Sequence, residues 1–201
     1  FRFVTWHHFS RYIDMKGLVV FFYFLFVGGV VFTQTDQKQQ IGLIEQELFE
    51  LLSDVRAAKN DVLRDSFNTK FKQRMEEVLT EDWSFDHPFT SLTTVGKITS
   101  QDKEVRIISW NVERDNGQHD YHAFILKQKG KREGHYLIPL IDNSSQLPPQ
   151  PLDVLDAENW YGALYYDIRD VQRGKKTYYT LFGYDANNDR STIKLLDILY
   201  F

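Results

Sequence analysis

The sequence contains no cysteine. Disulfides, thiolate nucleophiles and zinc–thiolate sites are excluded, as is a lipid-modified N-terminal cysteine. The absence fixes no compartment, because a chain able to bury a core needs no covalent staple. No Gly-x-Ser-x-Gly elbow, Walker-type phosphate loop or dinucleotide fingerprint occurs. Proline is sparse, and three of the 5 prolines (Pro148, Pro149 and Pro151) fall in one stretch, SSQLPPQP, which reads as an extended connection. An excess of positive charge is also missing. The net charge is -4, and the first 33 residues hold Arg2, Arg11 and Lys16 against Asp14, so the remainder is more acidic still. Such a chain is poorly suited to a phosphate backbone, and nucleic acid is not an expected partner.

Aromatic residues are abundant: 15% of the 201 residues, as 16 Phe, 11 Tyr and 4 Trp. They are dense between Trp160 and Asn188, which favours sheet there. With 42% hydrophobic and 26% charged residues, the chain has the balance of one globular domain of ordinary size.

Met15-Lys16-Gly17 is followed by LVVFFYFLFVGGVVFT and then by polar Gln34-Thr35-Asp36-Gln37. A positive start, an apolar run and a polar exit form the pattern of a secretory signal peptide. The run is short for a membrane span and slightly long for a signal core. Residues 15–33 are expected to be a signal peptide cleaved near Thr33, with a retained membrane anchor as the alternative. Membrane contact is then expected only through this segment, if uncleaved, and the location is the periplasm or cell envelope. Residues 1–14, with His7-His8, read as an extension upstream of the start. The apolar run ending at Phe201 has no closing turn, so the domain spanning 34–201 is expected to be truncated there.

From Ile41 the period is helical. Ile41, Ile44, Leu48, Leu51, Leu52 and Val55 recur at three- and four-residue steps. Ala57 to Asp61 interrupts, with Asn60 or Asp61 suited to a new N-cap. Leu63, Phe67, Phe71, Met75, Val78 and Leu79 form a second series. Two helices, about 40–58 and 61–80, are expected as a hairpin, with one long bent helix as the alternative.

From Val95 the period becomes two. Strands are expected at 95–99, 104–113, 121–128, 135–142, 160–171, 176–184 and 192–201. In the second, Val105 and Ile107 point one way and Ile108, Trp110 and Val112 the other, so both faces should be covered. Pro139 points to an edge or bulge in the fourth. Short turns and no strand–helix alternation give an α+β class. The expected architecture is an N-terminal helical hairpin on a mainly antiparallel meander of about seven strands, curved or a half-barrel.

The motifs SFDHPF-x-SL, VGKITSQDKEVRIISWNVE, WYGALYYDI, GKKTYYTLFGYDANN and KLLDILYF resemble a group of uncharacterised exported proteins of Gram-negative bacteria, over about residues 40–201. The resemblance implies a signal peptide, a helical start, aromatic strands and a chain that continues past the last strand. It implies no activity and carries over no catalytic residue.

Several patterns invite chemistry. VRIISWNVE is similar to the first strand of the metal-dependent endonuclease/exonuclease/phosphatase superfamily, whose downstream metal-binding Glu, Gly-Asp-x-Asn stretch and closing Asp-His pair do not occur in order here. The bland reading is a sheet strand with a buried Trp110. His119 and His122 lie three apart at a loop-to-strand junction, where their side chains diverge; His87 and His135 would have to approach in space to complete a metal site. Asp185, Asn187 and Asp189 place oxygens at alternate positions as calcium loops do. Arg190 stands where that loop needs glycine and Leu196 where it needs Glu, so the competing reading is a hairpin connection. A divalent cation at His119, His122, Asp185, Asn187 and Asp189 is thus the cofactor candidate, against no cofactor at all.

The aromatic hairpin gives the ligand candidates Trp160, Tyr161, Tyr165, Tyr166, Tyr179 and Tyr184. Regular alternation puts Trp160, Leu164, Tyr166 and Ile168 on one face and Tyr161, Ala163 and Tyr165 on the other; Tyr178, Phe182 and Tyr184 oppose Tyr179 and Leu181. One face should pack on the helices. The other is either an open platform for an apolar or sugar ligand or a surface of paired Tyr rings. The first functional reading is a non-catalytic exported binding module using this face, with a small molecule, glycan or envelope protein as partner. The alternative is a hydrolase or metal-dependent enzyme drawn from His87, His119, His122, Asp185 and Asp189, which requires these residues to converge. A third reading is a structural protein whose last strand pairs with another chain.

Overall fold

The computed structural model describes residues 15–130, 133–148, 154–188 and 191–201, with side chains from residue 35 onward apart from those of 187 and 188. The expected extension at 1–14 and the side chains of the apolar run at 15–33 lie outside this set. The chain divides into two compact units, 1–43 and 44–201. In the first, the backbone is helical from Met15. The second holds the end of that helix, a further helix and, among the described residues, every strand.

Helix α1 (Met15–Ala57) ends one residue short of the Ala58 expected from its apolar series. Asn60 then caps α2 (Asp61–Leu79), its Oδ1 accepting the Leu63 N–H at 2.9 Å. Leu48, Leu52 and Val55 of α1 and Phe71, Met75, Val78 and Leu79 of α2 are buried together. The helices form a hairpin, because Asn60 stops one and starts the other.

The strands are β1 (Gly96–Thr99), β2 (Val105–Glu113), β3 (His119–Gln128), β4 (His135–Ile141), β5 (Leu164–Arg173), β6 (Lys176–Asn188) and β7 (Ser191–Leu199). The α+β class and the seven antiparallel strands are as expected. They divide into two sheets, β1-β2-β3-β4 and β5-β6-β7, and neither closes into a barrel.

The four-stranded sheet is covered on both faces, as the apolar run of β2 demands. Ile108, Trp110, Val112, Phe124 and Leu126 pack on the helices. Val105, Ile107, Tyr121, Ala123 and Ile125 pack on the second sheet through Trp160, Ala163, Tyr165, Ile168, Tyr179 and Leu181. Trp110 is fully buried. Burial of one such side chain is worth roughly 1.5–3 kcal/mol, so these two clusters hold the layers together.

The expectation that the aromatic hairpin packs on the helices is corrected: its inner face meets the first sheet. The expected alternation is corrected as well. The ladder passes from Tyr165↔Gly183 to Asp167↔Phe182, so Tyr166 is an extra residue in a bulge. Tyr165 and Ile168 therefore both face inward, where regular alternation would separate them.

Candidate functional site

The six aromatic candidates do not form one platform. Trp160, Tyr165 and Tyr179 are buried between the sheets. Trp160 Nε1–H donates to Tyr165 Oη at 2.9 Å, Tyr165 Oη–H to Asp197 at 2.6 Å, and Tyr179 Oη–H to Asp102 at 3.0 Å. These contacts saturate hydroxyls that burial would otherwise orphan. Tyr166 and Tyr184 lie on the outer face, where the Lys194 ammonium sits over both rings at 5.3 and 5.5 Å. Tyr161 lines a cavity at the edge of β3.

That cavity, about 510 Å³, opens where β4 leaves the edge of β3. The β3–β4 ladder begins at His122↔Ile141, so residues 119–121 of β3 have no β4 neighbour. The chain instead turns at Asp142, whose Oδ2 accepts the Tyr121 N–H at 2.9 Å and whose Oδ1 accepts the Ser144 N–H at 3.0 Å. Asp142 thereby caps an edge that a strand would have covered. Burial raises its pKa above the ordinary carboxylate value, and the hydrogen bonds from Ser144 and Tyr121 only partly offset this.

Gly162 makes the capping possible. It has φ of +81°, and a Cβ there would come within 2.7–2.8 Å of the Asp142 carboxylate. Asp142 and Trp160 form a parallel bridge, with Asn143 N–H donating to the Trp160 carbonyl at 2.9 Å and Trp160 N–H to the Ile141 carbonyl at 3.0 Å. The WYGA stretch is thus one wall of the site.

The cavity wraps around the β3 edge and meets both faces of the strand. His119 and Tyr121 lie on the face toward the second sheet and Asp120 and His122 on the face toward the helices, as alternation requires. Tyr121 Oη–H donates to Asp185 at 2.8 Å and accepts the Ala186 N–H at 2.7 Å, tying β6 to β3. Burial lifts the Tyr121 pKa well above the phenol range. Asp120 is paired with Arg114, which also holds Asp65 of α2.

His122 has its protonation state set by its neighbours. Trp110 Nε1–H, which can only donate, meets Asn68 Oδ1 at 2.9 Å. The Asn68 amide must then present its NH2 to His122 Nε2 at 2.8 Å. His122 Nε2 is consequently an acceptor, and the neutral ring carries its proton on Nδ1. That Nδ1–H has no partner among the described residues. The ring stacks on Trp110 with centroids 5.3 Å apart. Burial, reinforced by the Lys72 charge, pushes the His122 pKa down to about 4.

Of the metal candidates, His119, His122 and Asp185 line this one cavity. Asp189 and the side chain of Asn187 lie outside the described residues. His87 is elsewhere, with Nε2 on Glu45 at 2.6 Å, and His135 Nε2–H donates to the Leu79 carbonyl at 2.6 Å. Among the described residues, no three His, Asp or Glu side chains are grouped so as to hold a metal ion. Asn68, Trp110, Asp142 and Gly162 were not singled out as site residues from the sequence. The one available signal was the Gly in WYGA, an isolated glycine next to bulky aromatics.

The fold and site define an α+β protein with a helical layer, two antiparallel sheets and a polar cavity at a bared strand edge. Among known proteins, no family model, curated protein or solved structure matches the chain. Among the described residues, no helix is long and apolar enough to cross a membrane.

Proposed function

We propose that the protein is an exported, non-catalytic binding module of the cell envelope and that its ligand is a small polar molecule held in the β3-edge cavity. The carrying observation is the cavity itself, about 510 Å³ and lined by Asp120, His122, Asp142 and Tyr161. That size suits one small ligand. The neutral His122 adds a hydrogen-bond donor that no described residue engages. Export is supported by the leader pattern of residues 15–33. This reading moves binding from the aromatic sheet face, where Lys194 already covers Tyr166 and Tyr184, to the cavity. Titrating ¹⁵N-labelled protein with a set of small polar fragments tests it. Amide shifts confined to residues 118–122 and 140–145 are expected. Shifts confined to Tyr166, Tyr184, Leu196 and Ile198 would overturn it in favour of the outer sheet face.

A second reading, a hydrolase, draws on His119, His122 and Asp185, which line the same cavity although His119 and His122 enter it from opposite faces of β3. Turnover of chromogenic ester, phosphate or glycoside substrates that is abolished by His122→Phe would establish it; equal background rates in both proteins would remove it.

A further inference from the structure

We infer that the ligand of the β3-edge cavity is a neutral polyhydroxylated molecule of one or two sugar rings. This rests on the binding reading above and specifies its ligand class.

Three ligand classes can be weighed against the groups that line the cavity. An anion would meet Asp120, Asp142 and Asp185, with Lys72 as the one lining cation to offset them. The desolvation of like charges disfavours it. A compact cation fares little better. None of the three carboxylates is a bare charge: Asp120 is paired with Arg114, Asp142 accepts two backbone N–H groups, and Asp185 accepts the Tyr121 hydroxyl. Lys72 also shares the space and repels a second cation.

What remains is a mixture of acceptors and donors. Asp120 and Asp142 retain lone pairs beyond those already used. Against them stand the His122 Nδ1–H, the Lys72 ammonium and the Ser145 hydroxyl. An amine ligand can only donate to such a set, and a carboxylate ligand can only accept. A hydroxyl does both, so a polyol satisfies the two kinds of group together. The apolar part of the lining, the Tyr161 ring and Ile193, suits the C–H face of a sugar. The volume of about 510 Å³ admits one or two rings.

The test is a set of amide-shift titrations of the full chain at fixed ionic strength. The probes are methyl glycosides of the common hexoses, cellobiose, spermidine and citrate. The expected result is that a saccharide moves amides of residues 119–122 and 141–145. Ser145→Trp, an exposed site at the cavity, should abolish this, and His122→Phe, which keeps a ring on Trp110 but removes the Nδ1–H, should weaken it about fivefold or more. Lys72→Met should leave spermidine silent. Thermal melts of each variant separate lost binding from lost folding, and Ser145→Trp serves if His122→Phe does not fold.

Spermidine or citrate moving the cavity amides while every saccharide is silent would overturn the sugar class and leave the binding reading intact. Saccharide shifts that survive Ser145→Trp, or that fall on the outer sheet face, would overturn the assignment to this cavity. If neither these probes nor the fragment set moves any cavity amide, the binding reading itself fails.

Discussion

Two polar regions of the protein place a histidine beside a carboxylate-bearing layer, and they end differently. Around Glu45, one carboxylate oxygen meets His87 Nε2 at 2.6 Å, and the other accepts the Ser91 N–H at 2.6 Å and the Thr90 hydroxyl at 3.3 Å. Close by, Lys97 donates to the Phe89 and Leu92 carbonyls, and Arg106 to the carbonyls of Ser84, Phe85 and His87. These bonds fasten the irregular 84–92 segment to α1, β1 and β2, and the one Arg106 nitrogen they leave without a partner, Nε, is buried in the packed interior. At the β3 edge, Trp110 and Asn68 consume one nitrogen of His122, and no described residue takes the other. A cluster bonded within the packed interior stabilises a fold, whereas a cluster with groups left over at a cavity can recognise something.

The comparison is broken most severely from the interior cluster. Arg106 is 4% exposed. Arg106→Met would strand two buried carbonyls and a partly buried third, at a cost of about 3–5 kcal/mol in chemical denaturation. A loss below about 1 kcal/mol would mean that the cluster is not structural.

The next largest effect belongs to His122 and depends on pH. Its folded pKa of about 4 lies below the ordinary histidine value of 6.5. Above pH 6.5 the ring is neutral in both states and contributes no pH dependence. Between pH 6.5 and 4 the unfolded chain takes up the proton while the folded chain resists it, so stability falls as pH falls. The loss reaches no more than roughly 3–4 kcal/mol, from a pKa lower by about 2.5 at 1.36 kcal/mol for each pH unit. Lys72, Asp120, Arg114 and Asp65 all act on this ring. The measurement is therefore the difference between wild type and His122→Gln at pH 7 and pH 4.5. A difference that does not change with pH would contradict the fixed neutral ring.

A smaller effect is expected at the cavity wall. Gly162→Ala forces a left-handed backbone on an L side chain and pushes its Cβ against Asp142. It should cost about 2 kcal/mol and displace the Asp142 cap. The amide resonance of Tyr121 would report the lost hydrogen bond. An unchanged resonance would show that the cap does not depend on Gly162. The smallest effect is Ser145→Ala, which lies on the exposed lining and should change stability by less than about 0.5 kcal/mol.

The fold was legible where one physical signal dominated. Asn60 marks the helix break because a short polar side chain offers the capping bond that apolar neighbours cannot. Val105 and Ile107 against Ile108, Trp110 and Val112 revealed a strand buried on both faces, because alternation cannot hide an all-apolar run. The partner of the aromatic hairpin was not legible. A sheet and a pair of helices offer equally apolar surfaces, and the bulge at Tyr166 inverts the phase on which the face assignment rested. For the site, His119, His122 and Asp185 stood out as residue types that ligate, and they do share the cavity. Asn68 did not, because its role depends on meeting Trp110 and His122 across 42 and 54 residues. Asp142 was invisible for a similar reason. Its importance comes from β4 ending beside it and from Gly162 making room.

The central claim is that Trp110 and Asn68 hold His122 neutral with a free Nδ1–H at a ligand cavity. Side-chain ¹⁵N NMR of the histidines measures this directly. The account predicts that His122 shows a protonated Nδ1 and an unprotonated, hydrogen-bonded Nε2 at pH 7, and keeps that pattern to below pH 5. An imidazolium signal at pH 6, or a proton on Nε2 in place of Nδ1, would contradict it.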